Sequence, residues 1–433
     1  MIKRTIAILA LSASVLVLAA QTKTAREEIR DNPFLAGSNY VDYDRQLPAD
    51  LHYTKAPKGY VPFYFSHYGR HGSRWLIGKN DYVSVLRPLR KARQQGKLTR
   101  EAQAMLRELE VFHKTTDKRL GDLTTVGERQ HHGIGRRIAA NFPEIFRTKG
   151  VAIDARSTIV ERCILSMMAE CEELMAANPT ARIHNDVSKS LQYYLNQERD
   201  SVIEALADNT RGLRRDFAER HTHPERLMQV LFNDRQWAAD SVRQGTLMRD
   251  LFKVAVNMQS HDGAPDLMAL FTNDELYDQW RIANQNWYLT YGPAPQSGGL
   301  MPFSQYNLLR NIIQTADTCV ALGKPQATMR FGHEVCVMPL ACLMELDSCG
   351  VSVDDLETLD LHWRNYKIFP MGCNIQLIFY KPKKGSGPVL VKALLNEREA
   401  TLPAGQTDTP YYYRWDDLRN YWNNKLNKYK QQQ

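Results

Sequence analysis

The feature that most constrains this chain is a strand-like stretch that runs directly into a cluster of basic residues. Residues 59–66 read Gly-Tyr-Val-Pro-Phe-Tyr-Phe-Ser, and this density of aromatic and β-branched side chains predicts a β-strand. Residues 67–74 follow at once and read His-Tyr-Gly-Arg-His-Gly-Ser-Arg. Since open α/β sheets bind ligands at the carboxyl ends of their strands, these residues are a candidate site.

Two further strand-like segments also lead into polar side chains. Residues 150–156 predict a short strand followed by a helix, which puts Arg162 on about the first turn of that helix. Residues 327–332 predict another strand, and His333 and Glu334 follow it directly. The three strand ends would therefore carry two histidines, several arginines and a carboxyl group to one edge of a sheet.

The order of these segments indicates the fold class. Strand-like and helical segments alternate at both ends of the chain, with a further strand pair expected at 373–380 and 389–395, whereas the middle is mostly helical. This pattern favours an α/β core with a mainly parallel sheet flanked by helices, plus an inserted α-helical domain. We assign residues 21–184 and 326–433 to the core and residues 185–325 to a mainly α-helical cap domain.

The first twenty residues predict a secretory signal peptide. Lys3 and Arg4 precede the uncharged, mostly apolar run 5–20, which ends in small residues suited to signal peptidase. The run is shorter than the roughly 20 apolar residues that a membrane span needs, although an uncleaved anchor stays the alternative. We therefore expect a secreted or periplasmic protein, in which disulfides among the seven cysteines are permitted but not fixed in their pairing.

The composition is that of a globular protein with an excess of positive charge. Hydrophobic residues make up 43% and charged residues 24%, which excludes a disordered or collagenous chain. The net charge of +8 is compatible with nucleic acid, an anionic membrane surface or a small acidic substrate as partner. Because secretion argues against a chromosomal partner, we expect no nucleic acid and no stable membrane span.

Arg70, His71 and Arg74 together have the chemistry of a phosphate site. Arginine binds phosphate through two parallel hydrogen bonds, and Gly72 would let the backbone approach the anion closely. The flanking cations disfavour the imidazolium form of His71, and a neutral imidazole attacks phosphorus to form a covalent phosphoenzyme. Arg162, near a helix N-terminus, would add positive charge to the same anion.

His333 and Glu334 complete this scheme without a metal. His333 would donate a hydrogen bond to the phosphoryl oxygens, and Glu334 would protonate the departing alcohol. A zinc site is disfavoured because the chain has no C-x-x-C, and Val337 stands where a His-Glu-x-x-His motif needs its second histidine. We expect no metal and no cofactor, and a metal-dependent phosphatase or peptidase is the alternative from another class.

The segment from Ser66 to Arg74, with its Arg-His-Gly-x-Arg, resembles the signature of the histidine acid phosphatases, branch two of the histidine phosphatase superfamily. Four later segments resemble the family in the expected order, namely residues 123–130, 156–162, 331–334 and 396–403. The matches cover roughly residues 60 to 405. The family includes phytases, multiple inositol-polyphosphate phosphatases, glucose-1-phosphatases and general acid phosphatases.

The resemblance implies a fold, a reaction and a role for each matched residue. It implies a phosphoglycerate-mutase-like α/β core, an inserted α-helical domain, no metal, and phosphate-ester hydrolysis through a phosphohistidine. The nucleophile would be His71, the proton donor Glu334, and the phosphate ligands Arg70, Arg74, Arg162 and His333. We expect inositol polyphosphates as substrates; the alternatives are a broad acid phosphatase, a glucose-1-phosphatase and a catalytically silent binder of phosphorylated ligands.

Two departures from the family pattern affect the pocket. Glu334 stands where the family usually has aspartate, so the donor side chain is one methylene longer. Trp75 follows Arg74 where many relatives have proline. Trp75 and Lys79 are near enough in sequence to line the substrate pocket, and Arg156 is a candidate either for that pocket or for a structural salt bridge.

Overall fold

A computed structural model describes residues 23–48, 51–197 and 201–431 of the chain. The predicted signal peptide, residues 1–20, lies outside the described residues. Within the described ranges, no helix is long and apolar enough to cross a membrane.

One mixed sheet of eight strands forms the centre of the described structure. The strands are β1 Tyr60–Arg70, β2 Ala152–Ser157, β3 Arg182–Asp186, β4 Gln326–Gly332, β5 Asn374–Pro382, β6 Leu390–Leu395, β7 Arg398–Ala400 and β8 Tyr413–Arg414. Their order is β3-β2-β4-β1-β5-β6-β7, and β8 pairs with β6. Pairing is parallel from β3 to β1 and antiparallel from β1 to β7. The α/β class is confirmed, and the parallel strands form one half of the sheet.

Helices cover the sheet and fill the region between β3 and β4. The α-helices are α1 Ala25–Asp31, α2 Val83–Gln94, α3 Arg100–Lys114, α4 Thr125–Asn141, α5 Pro143–Phe146, α6 Glu161–Ala177, α7 Gln192–Leu195, α8 Ser201–Asn209, α9 Arg211–Arg220, α10 Glu225–Leu231, α11 Arg235–Ser241, α12 Gln244–Asn257, α13 Asn273–Tyr291, α14 Tyr306–Leu322, α15 Glu334–Met344, α16 Leu359–His362, α17 Asn365–Ile368 and α18 Trp415–Gln431. Short 3₁₀ helices span Pro33–Tyr40, Asp44–Gln46, Lys189–Leu191, Met258–Ser260, Met268–Leu270, Pro295–Ser297, Met301–Gln305 and Leu356–Thr358.

Three large apolar clusters hold these layers together. One packs α14, α15 and α18 against one face of the sheet, and another packs α4 and α6 against the opposite face. The third is helical and joins α2 and α3 to α10, α12 and α13. The boundaries at 185 and 325 stay a prediction, but the clusters cross them, since α2 and α3 pack with the helical region and α14 packs on the sheet.

Three strands end side by side in the parallel half of the sheet. Arg70, the last residue of β1, lies opposite Gly332, the last residue of β4. Beyond the strands, the amide of His71 donates to the carbonyl of Gly332 at 3.0 Å. On the other side of β4, Ser157 at the end of β2 lies opposite Phe331. The three segments that the sequence singled out therefore leave the sheet at one edge.

The cysteines are all buried, and all are free thiols: Cys163, Cys171, Cys319, Cys336, Cys342, Cys349 and Cys373. Burial raises the pKa of the Cys163 thiol to about 12, so it stays protonated at neutral pH. The fold therefore rests on apolar packing without disulfides.

Candidate active site

The nucleophile proposed from the sequence lies in the loop that follows β1. The side chain of His71 is buried, and its Nδ1 lies 2.8 Å from the carbonyl oxygen of Gly72. Since a carbonyl oxygen only accepts, this contact assigns the proton to Nδ1. The lone pair of His71 is then on Nε2, which is the atom available for attack.

Close packing against α4 fixes this loop. A Cβ on Gly72 would lie 2.4 Å from the carbonyl oxygen of Gly127, and a Cβ on Gly127 would lie 2.3 Å from that of Ser73. The amide of Ser73 also donates to Oε1 of Gln130 at 2.9 Å. We expected Gly72 to allow close approach of an anion; what the described structure requires of it is contact with the first turn of α4.

Arg70 is buried beneath the histidine. Its Nη1 donates to the carbonyl oxygens of Asn39 at 2.5 Å and Phe369 at 3.3 Å. Its Nε lies 3.0 Å from Oε2 of Glu334, forming an ion pair. Its Nη2 has no hydrogen-bond partner among the described residues, so this donor is available to a ligand.

Arg74 and Arg162 add two further guanidinium groups that are only partly hydrogen-bonded. Arg74 Nη1 donates to the carbonyl of Trp75 at 3.0 Å, and Arg162 Nη1 donates to that of Gly121 at 3.3 Å. The Nε atoms of both arginines are buried without a partner among the described residues. Burial, together with the charges of Arg74 and Arg70, lowers the pKa of Arg162. Unpaired buried donors of one charge indicate a binding site for an anion.

His333 and Glu334 come from the adjacent strand end and begin α15. The rings of His71 and His333 lie nearly perpendicular, with centroids 5.6 Å apart. His333 Nε2 is 3.4 Å from Oγ1 of Thr158. Glu334 Oε2 is 3.7 Å from Nε2 of His71, and its Oε1 accepts a hydrogen bond from Asn39 Nδ2 at 3.3 Å. The carboxylate therefore lies between Arg70 and His71.

The electrostatics of the site keep both imidazoles neutral. Burial and the charges of Arg70 and Arg162 hold the pKa of His71 well below 6.5. Burial and the same arginines lower the pKa of His333 to about 4, although Glu334 raises it. For Glu334 burial raises the pKa, but the charges of Arg70 and Arg74 outweigh it and bring the pKa to about 2. At neutral pH the site thus holds neutral imidazoles, a carboxylate and three guanidinium groups.

A metal ion fits these residues less well than an anion. Ligand atoms of His71, His333 and Glu334 lie within 4.8 Å of one another, which is compact enough for an ion. However, the charges of Arg70, Arg74 and Arg162 act on both His71 and His333 and would repel a cation there. The donor set therefore favours a phosphate-sized anion.

The three remaining candidates, Trp75, Lys79 and Arg156, have different surroundings. Trp75 packs against His261, with ring centroids 4.1 Å apart and planes tilted by 50°, and lines a neighbouring cavity of about 630 Å³. Lys79 is exposed in the turn that follows. Arg156 pairs with Asp154 at 2.8 Å and donates to the hydroxyl of Tyr194 at 2.9 Å, which favours the structural alternative.

Sequence reasoning gave no site role to two residues that contact the candidate machinery. Asn39 contacts both Arg70 and Glu334 but comes from an irregular segment with no strand or helix signal. Thr158 holds His333, and the sequence offered it only as part of a matched motif. Such contacts arise from tertiary packing and leave little trace in local sequence.

Comparison with known proteins gives similarity in structure but not in sequence. No family model matches the chain, and no curated protein sequence matches it. The multiple inositol polyphosphate phosphatase of Bifidobacterium longum, solved in complex with inositol hexasulfate, is 19% identical with a TM-score of 0.70, covering 89% of this chain and 96% of that one. The phytase from D. castellii is 13% identical with a TM-score of 0.68, covering 91% and 85%.

A third neighbour belongs to the same group. The Hafnia alvei phytase in complex with myo-inositol hexakis sulphate is 10% identical with a TM-score of 0.53, covering 86% of this chain and 98% of that one. At such low identities the likeness shows the fold. The resemblance to the histidine acid phosphatases is therefore confirmed at the level of the fold.

Proposed function

We propose that this chain, which has the fold of the histidine acid phosphatases, hydrolyses phosphate monoesters through a phosphohistidine on His71. The observation that carries the proposal is a buried imidazole with its lone pair on Nε2, near enough to three arginines for their charges to lower its pKa. The arginines also have N–H groups without a partner among the described residues, and these could donate hydrogen bonds to a phosphoryl group. The alternative of a metal-dependent phosphatase has no comparable support in the donor set.

The first step would be attack by Nε2 of His71 on phosphorus. The N–P bond forms while the bond from phosphorus to the ester oxygen breaks, and the alcohol leaves with a proton from Glu334. Arg70, Arg74 and Arg162 would bind the equatorial oxygens, on which charge is spread in the transition state. His333, neutral because its pKa is about 4, would donate one further hydrogen bond.

The second step would return the site to its starting state. Water attacks the phosphorus of the phosphohistidine, the N–P bond breaks, and Glu334 takes up the proton that the water loses. The products are the alcohol and inorganic phosphate, so one ester and one water are consumed in each cycle. Glu334 thus acts first as acid and then as base.

Glu334 must be protonated to act as donor. Substrate binding would favour the protonated form by raising the pKa of this carboxyl group. In the free site the charges of Arg70 and Arg74 hold its pKa at about 2, against the effect of burial. A bound phosphate dianion neutralises those arginines and adds negative charge beside the carboxyl group. Both changes raise the pKa of Glu334, so the donor would be loaded when the substrate arrives.

Inositol polyphosphates are the substrates we favour. Two of the structural neighbours were solved with hexasulfated inositols, which carry six anionic groups on one ring. The cavity beside Trp75 measures about 630 Å³ and includes Arg107 and Arg119 in its lining, so it can accept a bulky polyanion.

We also propose that the protein is exported, with cleavage after the apolar run of residues 5–20. The support is the sequence pattern alone. Separation of cell fractions and sequencing of the mature N-terminus test it. A mature chain that still begins at Met1 would refute export by cleavage.

The function is tested by turnover and by trapping. Purified protein is assayed with phytate, glucose 1-phosphate and an aryl phosphate at equal concentrations and several pH values, with and without exhaustive chelation. We expect turnover that survives chelation and is fastest on phytate. Rapid acid quenching with ³²P-labelled substrate should trap label on the wild type and none on His71→Ala. Absence of turnover on every ester would overturn the proposal in favour of a silent phosphate binder.

A further inference from the structure

The 3₁₀ helix Pro33–Tyr40 contains one residue with a strained backbone. Ser38 has φ 55° and ψ −120°, a region of backbone conformation that residues other than glycine rarely adopt. Ser38 is buried, so the strain lies inside the molecule and not at a loop tip. Because such conformations persist only where the surrounding structure imposes them, and cluster at functional sites, the segment around Ser38 is a candidate for a functional role.

Two neighbouring elements hold this segment in place. On one side, Nδ2 of Asn365 in α17 donates a hydrogen bond to Oγ of Ser38 at 2.7 Å. On the other side, Gly37 packs so closely against Gln259 that a Cβ on Gly37 would lie 2.5 Å from Nε2 of that side chain. These contacts fix the direction in which the next residue, Asn39, leaves the turn.

The turn directs both polar groups of Asn39 into the candidate active site. Its backbone carbonyl accepts a hydrogen bond from Nη1 of Arg70 at 2.5 Å, and its Nδ2 donates to Oε1 of Glu334 at 3.3 Å. Since a carboxylate oxygen only accepts, the side-chain amide must present Nδ2, and not its oxygen, to Glu334. Tyr40 then places its ring 5.4 Å from the guanidinium carbon of Arg74. Two consecutive residues therefore contact three groups of the site.

The hydrogen bond from Asn39 determines how the carboxyl group of Glu334 is oriented. Both oxygens belong to one planar group, so a donor on Oε1 also fixes the direction of Oε2, which lies 3.7 Å from Nε2 of His71. Arg70 contacts Oε2 at 3.0 Å, but its Nε has no hydrogen-bond partner among the described residues. This ion pair therefore gives the carboxyl group little direction, because its N–H is poorly aligned with the oxygen.

A glutamate at position 334 needs this restraint more than an aspartate would. Its side chain has one more rotatable bond than the aspartate usual in the family, so more conformational freedom must be lost to hold the carboxyl group in one geometry. The hydrogen bond to Asn39 is already 3.3 Å long, so we expect an aspartate, one methylene shorter, to fall short of Nδ2. Asn39 should therefore matter to glutamate in particular.

We propose that Asn39 is a positioning residue for Glu334, whose amide holds the longer carboxyl group with Oε2 toward His71, where the leaving alcohol must receive its proton. The inference rests on the proposed function, in which Glu334 is the proton donor. The strained backbone at Ser38 is what turns Asn39 toward the start of α15.

The proposal is tested by kcat and KM on alkyl and aryl phosphates for the wild type, Asn39→Ala and Asn39→Leu. Loss of a hydrogen bond to a charged group should lower kcat on alkyl phosphates about tenfold. Aryl phosphates should change far less, since their leaving group needs little protonation. KM should stay nearly constant, because both variants keep the backbone carbonyl that binds Arg70.

The controls separate positioning from packing. Leucine fills the volume of asparagine without a donor, so agreement of Asn39→Ala with Asn39→Leu excludes an effect of the cavity alone. Asn424→Ala, at an exposed asparagine of α18, is the matched control and should behave like the wild type. Circular dichroism and the melting temperature check that each variant is folded.

A double-mutant cycle tests whether Asn39 acts through Glu334. In the Glu334→Asp background, Asn39→Ala should change the ratio of alkyl to aryl phosphate rates by less than about twofold. Wild-type rates in both variants at position 39, equal loss on alkyl and aryl phosphates, or the same tenfold loss in the aspartate background would each overturn the positioning role while leaving the phosphohistidine mechanism standing. A wild type that hydrolyses no ester overturns the proposed function instead, and this inference with it.

Discussion

Two groups of buried charge flank the carboxyl end of β1, and they differ in how they are paired. On the antiparallel side, Glu397 accepts hydrogen bonds from Arg137 at 2.8 Å and from the hydroxyl of Tyr43 at 2.9 Å. On the parallel side, Arg74 and Arg162 hold buried nitrogen atoms that have no partner among the described residues. Removing one partner of the paired group would leave a buried charge uncompensated, whereas the unpaired group has buried donors that a bound anion would satisfy.

The paired group also explains a segment that the sequence singled out for another reason. Asn396 and Glu397 have φ angles of 52° and 62° and form the two-residue turn between β6 and β7. Such a turn needs left-handed backbone at both central positions, which asparagine tolerates. Within the segment 396–403, which resembles the family, Asn396 and Glu397 therefore have a structural role, namely to form this turn.

The largest effect should follow from removal of the nucleophile. His71→Ala should reduce turnover of an aryl phosphate by roughly 10³-fold or more, because no other group can form the phosphoenzyme. The measurement is initial rate at saturating substrate. His52→Ala, an exposed histidine, is the control and should retain activity. Turnover by His71→Ala at a rate close to that of the wild type would refute the mechanism through a phosphohistidine on His71.

Breaking the paired group should affect stability instead. Glu397→Gln leaves the buried side of Arg137 without its counter-charge and should lower the free energy of unfolding by about 3–5 kcal/mol. Urea unfolding measures this change, and KM for the folded fraction should stay constant. Glu204→Gln, on an exposed face, is the matched control. A stable variant with an altered KM would erase the contrast between the two groups.

Because the imidazole of His67 is buried, the free energy of unfolding should decrease as the pH falls. Burial lowers its pKa from 6.5 to about 4, and neither ring nitrogen has a partner among the described residues. Between these values the unfolded chain binds the proton and the folded chain does not, so stability is present above pH 6.5 and is lost as the pH falls toward 4. The loss should be roughly 3 kcal/mol.

The contribution of His67 is measured as the change in the free energy of unfolding between two pH values, and not as the free energy at one pH. Urea unfolding is compared at pH 7 and pH 4.5 for the wild type and for His67→Asn, which cannot take up a proton. The variant should lose less stability over this interval than the wild type does. Equal losses would mean that other groups carry the acid sensitivity.

Removal of the proposed proton donor should depend on the leaving group. Glu334→Gln should slow alkyl phosphates by about 10²-fold, and aryl phosphates far less, since an aryl alcohol leaves with little protonation. Glu334→Asp, which introduces the residue usual in the family, should keep the wild-type ratio of alkyl to aryl phosphate rates. The measurement is kcat on a series of esters with different leaving-group pKa. Equal loss across the series would refute the donor role.

The smallest effect expected is on phosphate binding. Arg162→Ala should raise KM on the order of tenfold by removing a charged hydrogen bond to the anion. It should not lower the melting temperature, because it also removes a buried charge near Arg74 and Arg70. Arg156→Ala is the contrasting variant, and its KM should change little since Arg156 pairs with Asp154. A raised KM for Arg156→Ala with an unchanged KM for Arg162→Ala would mean that Arg156, and not Arg162, binds the phosphate.

The positions of most candidate site residues in the fold were predictable because these residues follow strands directly. The segment at 59–66 predicted β1, which extends to Arg70, and the segments at 373–380 and 389–395 correspond to β5 and β6. Arg162 lies on the first turn of α6, where the sequence put it. Asn39 was not predictable as a site contact, since a 3₁₀ helix carries it to Glu334 across 295 residues of chain.

The sequence by itself determined which segments are strands, and which arginines, histidines and carboxyl groups follow them. Those features are local, since alternation and motif spacing act over a few residues. Only the tertiary structure decided which charges are compensated. Arg137 meets Glu397 across 260 residues, while Arg74 and Arg162 converge on His71 without a counter-charge for every donor. Pairing depends on distances between remote segments, and packing alone sets these.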